Sequence, residues 1–213
     1  AYEWEDARRM YDKIGQMRIP LFCGSSLPWT WRRPPLEFPR GIELDEVMAV
    51  SFSDIEEHGY HAVELLQAMA ERRKGGETGV ESIRCVEGEA VWKMGWPRDL
   101  LDAALTRRVN KGYGNECKNP QAIQIRYRDG LKASILNLNG MTMDYLFAAR
   151  DKAGRVYSSC FYIQLYVHNH WGFMVRAFED VVLTKKTAMP IERTLLSTGI
   201  TLFGLESRVQ EQK

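Results

Sequence analysis

The sequence predicts an α+β fold in two layers, an open and mostly antiparallel sheet with helices on one face. Two observations lead to this expectation. Apolar residues recur at helical spacing near the start of the chain and again near its end. From residue 121 the spacing changes to alternation, and turn residues separate the alternating runs. Strands grouped together, with helices grouped around them, are typical of a sheet covered by helices.

Composition excludes several classes of protein. The 213 residues are 45% hydrophobic and 27% charged, as in an ordinary globular domain. With 29 basic and 28 acidic residues the net charge is +1, so we expect no nucleic-acid partner. No apolar run approaches the roughly 20 residues that span a bilayer, so no membrane partner is expected. The four cysteines lie far apart, without zinc-type spacing, which favours reduced thiols and a cytoplasmic location over two disulfides.

The first 28 residues differ from the rest of the chain. "WEDARRMYDKIGQM" has helical spacing, and the apolar run "RIPLFCGSS" after it predicts a buried strand. A helix feeding a strand is half of an α/β repeat, so we expect residues 1–28 to be the end of one domain. "LPWTWRRPPLEFPRG" contains four prolines and predicts a stiff connector, which makes residues 29–213 a second domain.

Within the second domain the elements alternate and then group. A strand region at 42–54 precedes a helix at about 57–73 that "GGETG" ends; a strand at 80–92 and a short helix at 97–108 follow. Two hairpins come next, the first with Asp129-Gly130 as a two-residue turn and the second turning near 152–154. Two helices, at 170–186 and from 191 onward, close the chain.

The helix at 57–73 carries the candidate site. Glu57, His61 and Glu64 fall within about 60° of one another around the helix axis, opposite an apolar side, so this stripe is expected to face water or a cleft. A carboxylate one turn from a histidine would raise its pKa and orient its ring, as in a general acid–base pair. Gly59 would let another group approach the first turn closely. The alternative is a solvated helix face with an incidental histidine.

Other chemistries find less support. A metal site would need His58 and His61 to meet His168 and His170 from far along the chain, and we predict none. No nucleophile motif, P-loop or complete dinucleotide fingerprint occurs. "WTWRRPP" is compatible with a stacking surface for a base or sugar, although an interdomain hinge is favoured.

The segment Glu57-His58-Gly59-Tyr60-His61-Ala62-Val63-Glu64 resembles the D-x-G-x-H-x-x-D motif of the glucose–fructose oxidoreductase, inositol dehydrogenase and MocA family. The upstream helix and strand are similar to the end of that family's Rossmann domain, "WRRPP" to its R-x-P junction, and "IERTLLSTGI" to its closing helix. The resemblance implies that residues 1–28 are a Rossmann remnant. It also implies that residues 29–213 are the substrate and oligomerisation domain.

The same resemblance implies an activity and a set of residues. His61 and Glu57 would be catalytic; the candidate substrate-binding residues are Glu64, Tyr60, Arg32 and Arg33. The cofactor would be NAD or NADP, the substrate a sugar, cyclitol or related polyol, and the assembly a homo-oligomer joined through an exposed apolar face of the open sheet. A non-catalytic ligand-binding or oligomerisation domain with the same fold is the alternative.

Two departures from the family pattern matter. Glu57 stands where the family has aspartate, which moves the carboxylate by about 1.5 Å. The family's E-K-P lysine and glycine-rich cofactor loop have no counterpart in the 213 residues. The cofactor-binding residues are therefore expected upstream of Ala1. We expect the chain as given to be inactive alone and to bind no dinucleotide by itself.

Overall fold

The structure is a computed structural model that describes residues 3–110, 112–164, 170–187 and 189–211. The described helices are α1 (Trp4–Met17), α2 (Tyr60–Ala70), α3 (Ala90–Lys93), α4 (Arg98–Leu105), α5 (His170–Thr184) and α6 (Ile191–Glu211). The described strands are β1 (Trp31–Arg33), β2 (Leu44–Ser51), β3 (Val80–Glu87), β4 (Lys118–Tyr127), β5 (Lys132–Asn139), β6 (Tyr145–Asp151) and β7 (Val156–Tyr162).

The seven strands form one open sheet in the order β1-β7-β6-β2-β5-β4-β3. Every neighbouring pair is antiparallel except β2 and β5, which run parallel. This arrangement confirms the predicted α+β class and the mostly antiparallel sheet. The central strand β2 is bounded by two hairpins, β4–β5 on one side and β6–β7 on the other.

The long helices α2 and α6 pack on one face of the sheet, as predicted. Alternation along β2 shows how the two faces are built: Val47 and Ala49 join the core under α2, whereas Met48 and Val50 point to the opposite face. All four side chains are buried, so both faces of the central strand are covered. A continuous apolar run in a strand is typical of this situation.

The second face is covered by the segment that contains α3 and α4, a feature the sequence did not predict. Trp96, Leu100 and Leu101 bury the apolar side chains that β2, β5 and β6 present there. Asp99 in α4 also pairs with Arg150 of β6, at 2.5 Å between oxygen and nitrogen. The expectation of self-association assumed that isoleucine and leucine side chains on this sheet were exposed. Those of β4 and β5 are buried within the chain, so that argument is wrong.

The hairpin predictions are confirmed in position. The β4–β5 turn has three residues rather than two, since the Tyr127 N–H donates to the Leu131 carbonyl across Arg128, Asp129 and Gly130. Gly130 takes a φ of +90°, which is strained for any residue with a side chain. The β6–β7 hairpin turns at 152–154, as predicted.

The buried strand predicted within "RIPLFCGSS" is wrong. Residues 19–23 have no regular structure, and Ile19 is 48% exposed. The apolar pattern would need a neighbouring strand, and none of the described strands lies beside this segment. Helix α1 precedes it as predicted and contacts α6, where the Trp4 ring lies 5.4 Å from the Phe203 ring. The division into 1–28 and 29–213 stays a prediction.

Candidate functional site

The site begins where β2 ends and the chain turns into α2. Asp54 caps this turn by accepting a hydrogen bond from the Glu56 N–H at 2.9 Å. Residues Ile55–Gly59 form a π-helical turn, and the α-helix proper starts at Tyr60 and ends at Ala70, so it is shorter than predicted. Gly59 does accommodate a close approach, but by a group of the same turn. A Cβ at Gly59 would lie 2.8 Å from the Ile55 side chain.

His61 lies in the first turn of α2 with its ring partly buried. Its Nδ1 atom is 2.7 Å from the Ser25 hydroxyl, so the ring points toward the segment before β1. The Tyr145 ring of β6 lies edge-on to His61 at 6.3 Å between centroids, and the His58 ring is at the same distance. Burial lowers the pKa of His61, and positive charge on His58 acts in the same direction.

Glu57 is not brought to the His61 ring. Its side chain is 65% exposed, accepts a hydrogen bond from the Ser53 hydroxyl and lies 3.8 Å from Nδ1 of His58. The expectation that a carboxylate one turn away would raise the pKa of His61 is therefore wrong. The ring has a neutral hydroxyl as its partner, and desolvation dominates.

Glu64 lies on the same stripe as His61 but is 0% exposed, so the prediction that the whole stripe faces water or a cleft is wrong. Its Oε2 accepts a hydrogen bond from the Ser25 N–H at 3.3 Å. Helix α6 packs against this side of α2, with Arg193 and Ser197 close to the carboxyl group. Burial raises the pKa of Glu64, while the Ser25 N–H acts against that rise. Glu64 cannot touch a substrate without displacing the segment that covers it.

Of the other predicted binding residues, Tyr60 lies beside His61, with 6.1 Å between the ring centroids, whereas Arg32 and Arg33 belong to β1. Burial raises the pKa of Tyr60, and the negative charge of nearby Glu64 adds to the rise. Arg32 donates to the Pro28 carbonyl at 3.1 Å and lies over the Phe161 ring. The Arg33 guanidinium carbon is 3.7 Å from the centroid of the Tyr162 ring. Both arginines thus hold the edge strand β1 against β7.

Sequence reasoning missed two neighbours of His61. Ser25 comes shortly before a 3-10 helix at Leu27–Trp29 and lies far from His61 in the chain. No local sequence pattern indicated that Ser25 contacts His61. Tyr145 starts β6, and within the described residues its hydroxyl makes no hydrogen bond. A tyrosine that is 4% exposed and whose ring lies next to a histidine is a candidate substrate contact.

A metal site gains no support from the geometry. In the described part of the chain, no group of three or more histidine, cysteine, aspartate or glutamate side chains could hold an ion. His168, which that alternative required, lies outside the described residues. A groove of about 630 Å³ between α6 and β3 is lined by residues such as Trp4, Ile83 and Phe203 and not by those around His61. Among the described residues, no helix is both long and apolar enough to cross a membrane.

The chain is similar to known proteins in its fold but not in its sequence. No family model matches the chain, and no curated protein matches it by sequence. Solved structures do match. A Sinorhizobium meliloti protein assigned as a myo-inositol dehydrogenase has a TM-score of 0.61 and 10% identity, with 100% of this chain and 70% of that chain covered. The chain has the fold of inositol dehydrogenase-type oxidoreductases.

Two further structures extend that likeness. The WlbA dehydrogenase of Bordetella pertussis, solved with NADH and UDP-GlcNAcA, has a TM-score of 0.53 and 13% identity over 99% of this chain and 67% of that one. A myo-inositol dehydrogenase of Corynebacterium glutamicum has a TM-score of 0.51 and 7% identity over 79% of this chain and 55% of that one. The resemblance to the glucose–fructose oxidoreductase, inositol dehydrogenase and MocA family is confirmed at the level of the fold.

The described residues do not themselves fit the phosphates of a dinucleotide. Such phosphates bind at a helix N-terminus after a glycine-rich turn that follows a strand. None of the described strand-to-helix connections has that turn, and the first turn of α1 carries two acids, Glu5 and Asp6, that would repel phosphate. Ala1 lies outside the described residues, and cofactor-binding residues upstream of it stay a prediction.

Proposed function

We propose that this chain is the substrate-side part of a nicotinamide-dependent oxidoreductase that acts on a sugar, a cyclitol or a related polyol. The nicotinamide, NAD or NADP, is held outside the described residues and supplies hydride transfer when bound. The WlbA dehydrogenase, which has this fold, was solved with NADH and a nucleotide sugar, and the Sinorhizobium meliloti protein with this fold is assigned as a myo-inositol dehydrogenase. The observation that carries the proposal is the position of His61, half-buried at the start of α2 beneath residues 24–34, here called the junction segment.

His61 is the proton-transfer group in this proposal. A histidine whose pKa is lowered is neutral at pH 7 and can take the proton of a substrate hydroxyl on Nε2, since Nδ1 is held by Ser25. In the reverse direction the same nitrogen returns the proton to the developing hydroxyl. In this proposal the Tyr145 hydroxyl is a second group that contacts the substrate. The exposed carboxylate of Glu57 accepts a hydrogen bond from another substrate hydroxyl.

The test uses the full-length protein with NAD or NADP and a panel of sugars, cyclitols and sugar acids, followed by absorbance of the reduced nicotinamide. His61→Ala should lower kcat by about 10² to 10⁴ with little effect on folding. kcat/KM should fall with acidity, with a midpoint below the ordinary histidine value of 6.5. Arg9→Ala, on the exposed side of α1, is the control. An unchanged turnover in His61→Ala would contradict the proton-transfer role of His61, whereas no turnover in the wild type on any substrate of the panel would favour the non-catalytic alternative.

Self-association and a cytoplasmic location, both expected from the sequence, stay predictions. Light scattering of the purified protein measures the first, and fractionation of source cells measures the second.

A further inference from the structure

We propose that Ser25 is a positioning residue for His61: its hydroxyl holds Nδ1, so that Nε2 is the ring nitrogen that exchanges a proton with the substrate. This inference rests on the proposed function for its catalytic consequence but not for its physical test. Ser25 lies in the segment before the second domain, 36 residues from His61 along the chain. The two residues meet only through the fold.

The contact is short and protected. The Ser25 hydroxyl oxygen and Nδ1 of His61 are 2.7 Å apart, and Ser25 is 3% exposed, so water does not compete freely for either atom. The same hydroxyl oxygen accepts a hydrogen bond from the Leu27 N–H at 3.1 Å. That bond fixes the direction of the hydroxyl, because it closes the turn in which Ser25 sits.

Ser25 is itself held in place by Glu64. The Ser25 N–H donates to Glu64 Oε2, and Glu64 is wholly buried between α2 and α6. Since Glu64 and His61 are both on α2, one residue of the junction segment is bonded twice to the same helix. This arrangement replaces the substrate-binding role that the family resemblance implied for Glu64 with a supporting one.

A hydroxyl suits this position because it can donate and accept. While Nε2 takes and returns the proton, Nδ1 carries a hydrogen and the hydroxyl oxygen accepts it, so the ring keeps its orientation in both of these states; in the other neutral tautomer the hydroxyl donates to the bare Nδ1. A carboxylate could only accept, and its charge would raise the pKa of the ring. The titratable groups that face His61 are His58 and Tyr60 from its own helical run, Tyr145 from β6, and Glu64 behind Ser25.

The experiment is an imidazole ¹⁵N NMR titration of the chain in three forms: wild type, Ser25→Ala and Ser26→Ala. Ser26 is the matched control, since it is the next residue, is also buried and makes no side-chain hydrogen bond among the described residues. In the wild type, Nδ1 of His61 should show the shift of a hydrogen-bonded nitrogen. Ser25→Ala should shift the ratio of the two neutral tautomers and lower the pKa of His61 further, because the imidazolium loses an acceptor. Ser26→Ala should change neither.

Two results would overturn the proposal. One is a wild-type His61 whose tautomers interconvert like those of a free imidazole, a measurement that needs no variant to fold. The other is a folded Ser25→Ala whose His61 titrates as in the wild type, which would reduce Ser25 to closing the Leu27 turn. In the active full-length protein, Ser25→Ala should lower kcat/KM by about tenfold, with Ser25→Thr restoring it. An absence of any dehydrogenase activity would count against the proposed function and leave the NMR result standing.

Discussion

Glu57 and Glu64 flank His61 on one face of the same helical run, yet they lie in different environments. Glu57 projects into solvent and hydrogen-bonds to Ser53, whereas Glu64 is sealed between α2, α6 and the junction segment. Helical phase predicted both on the side of His61. It could not tell that a segment distant in sequence covers one end of that side. The difference teaches that a polar stripe on a helix fixes a direction, while exposure along the stripe depends on what packs there.

The largest effect should come from Gly24, the residue that lets the junction segment approach Glu64. Its φ is +105°, and a Cβ there would lie 2.6 Å from Glu64 Oε2 and 3.1 Å from the Thr194 hydroxyl. Gly24→Ala should therefore destabilise the protein by about 2–4 kcal/mol, from backbone strain and the collision together. Urea unfolding measures this.

Gly15→Ala is the control for that substitution. Gly15 lies in α1, where an added Cβ would meet nothing within 4 Å, and the change should be neutral or stabilising by up to about 1 kcal/mol. If both alanine variants unfolded at the wild-type urea concentration, the junction segment would not be packed on Glu64. Glu64 would then not be buried in the way that distinguishes it from Glu57.

The next effect concerns pH and separates the two glutamates directly. Burial raises the pKa of Glu64 above its ordinary value of 4.5, so the folded state binds that proton more tightly than the unfolded chain. The contribution of Glu64 to stability should therefore fall as pH rises through the window between the two values. Glu64→Gln has no proton to lose and keeps an oxygen for the Ser25 N–H. Its stability relative to wild type should grow from about pH 4 upward and then level off; a difference independent of pH would mean that Glu64 is solvated.

The smallest effect is expected at Glu57. Glu57→Gln should change the free energy of unfolding by less than about 0.5 kcal/mol at any pH, since the side chain is exposed. In the active full-length protein it should raise KM more than it lowers kcat, because the carboxylate does not contact the His61 ring. A loss of kcat as large as that of His61→Ala would restore the carboxylate–histidine pair that the family resemblance implied.

Features that depend on neighbours in sequence were predictable. Alternation and turn residues indicated the β4–β5 and β6–β7 hairpins, and apolar spacing indicated α6. The position of His61 at the start of a helix followed from the same local pattern. Features that depend on distant contacts were not predictable. The covering of the second sheet face by α4, the Ser25 hydroxyl on His61 and the burial of Glu64 each join segments that no local pattern relates.

The central strand β2 has a consequence for the order in which the molecule assembles. Both of its partners, β5 and β6, belong to hairpins that come much later in the chain, so its pairing carries a far larger loop-closure entropy than theirs. The hairpins can form through local contacts, and β2 must then pair with β5 of one hairpin and β6 of the other. Helix α2 follows β2 in the chain, so His61 adopts its position only when β2 has paired with both neighbours. The geometry for proton transfer therefore depends on the long-range pairing of a single strand.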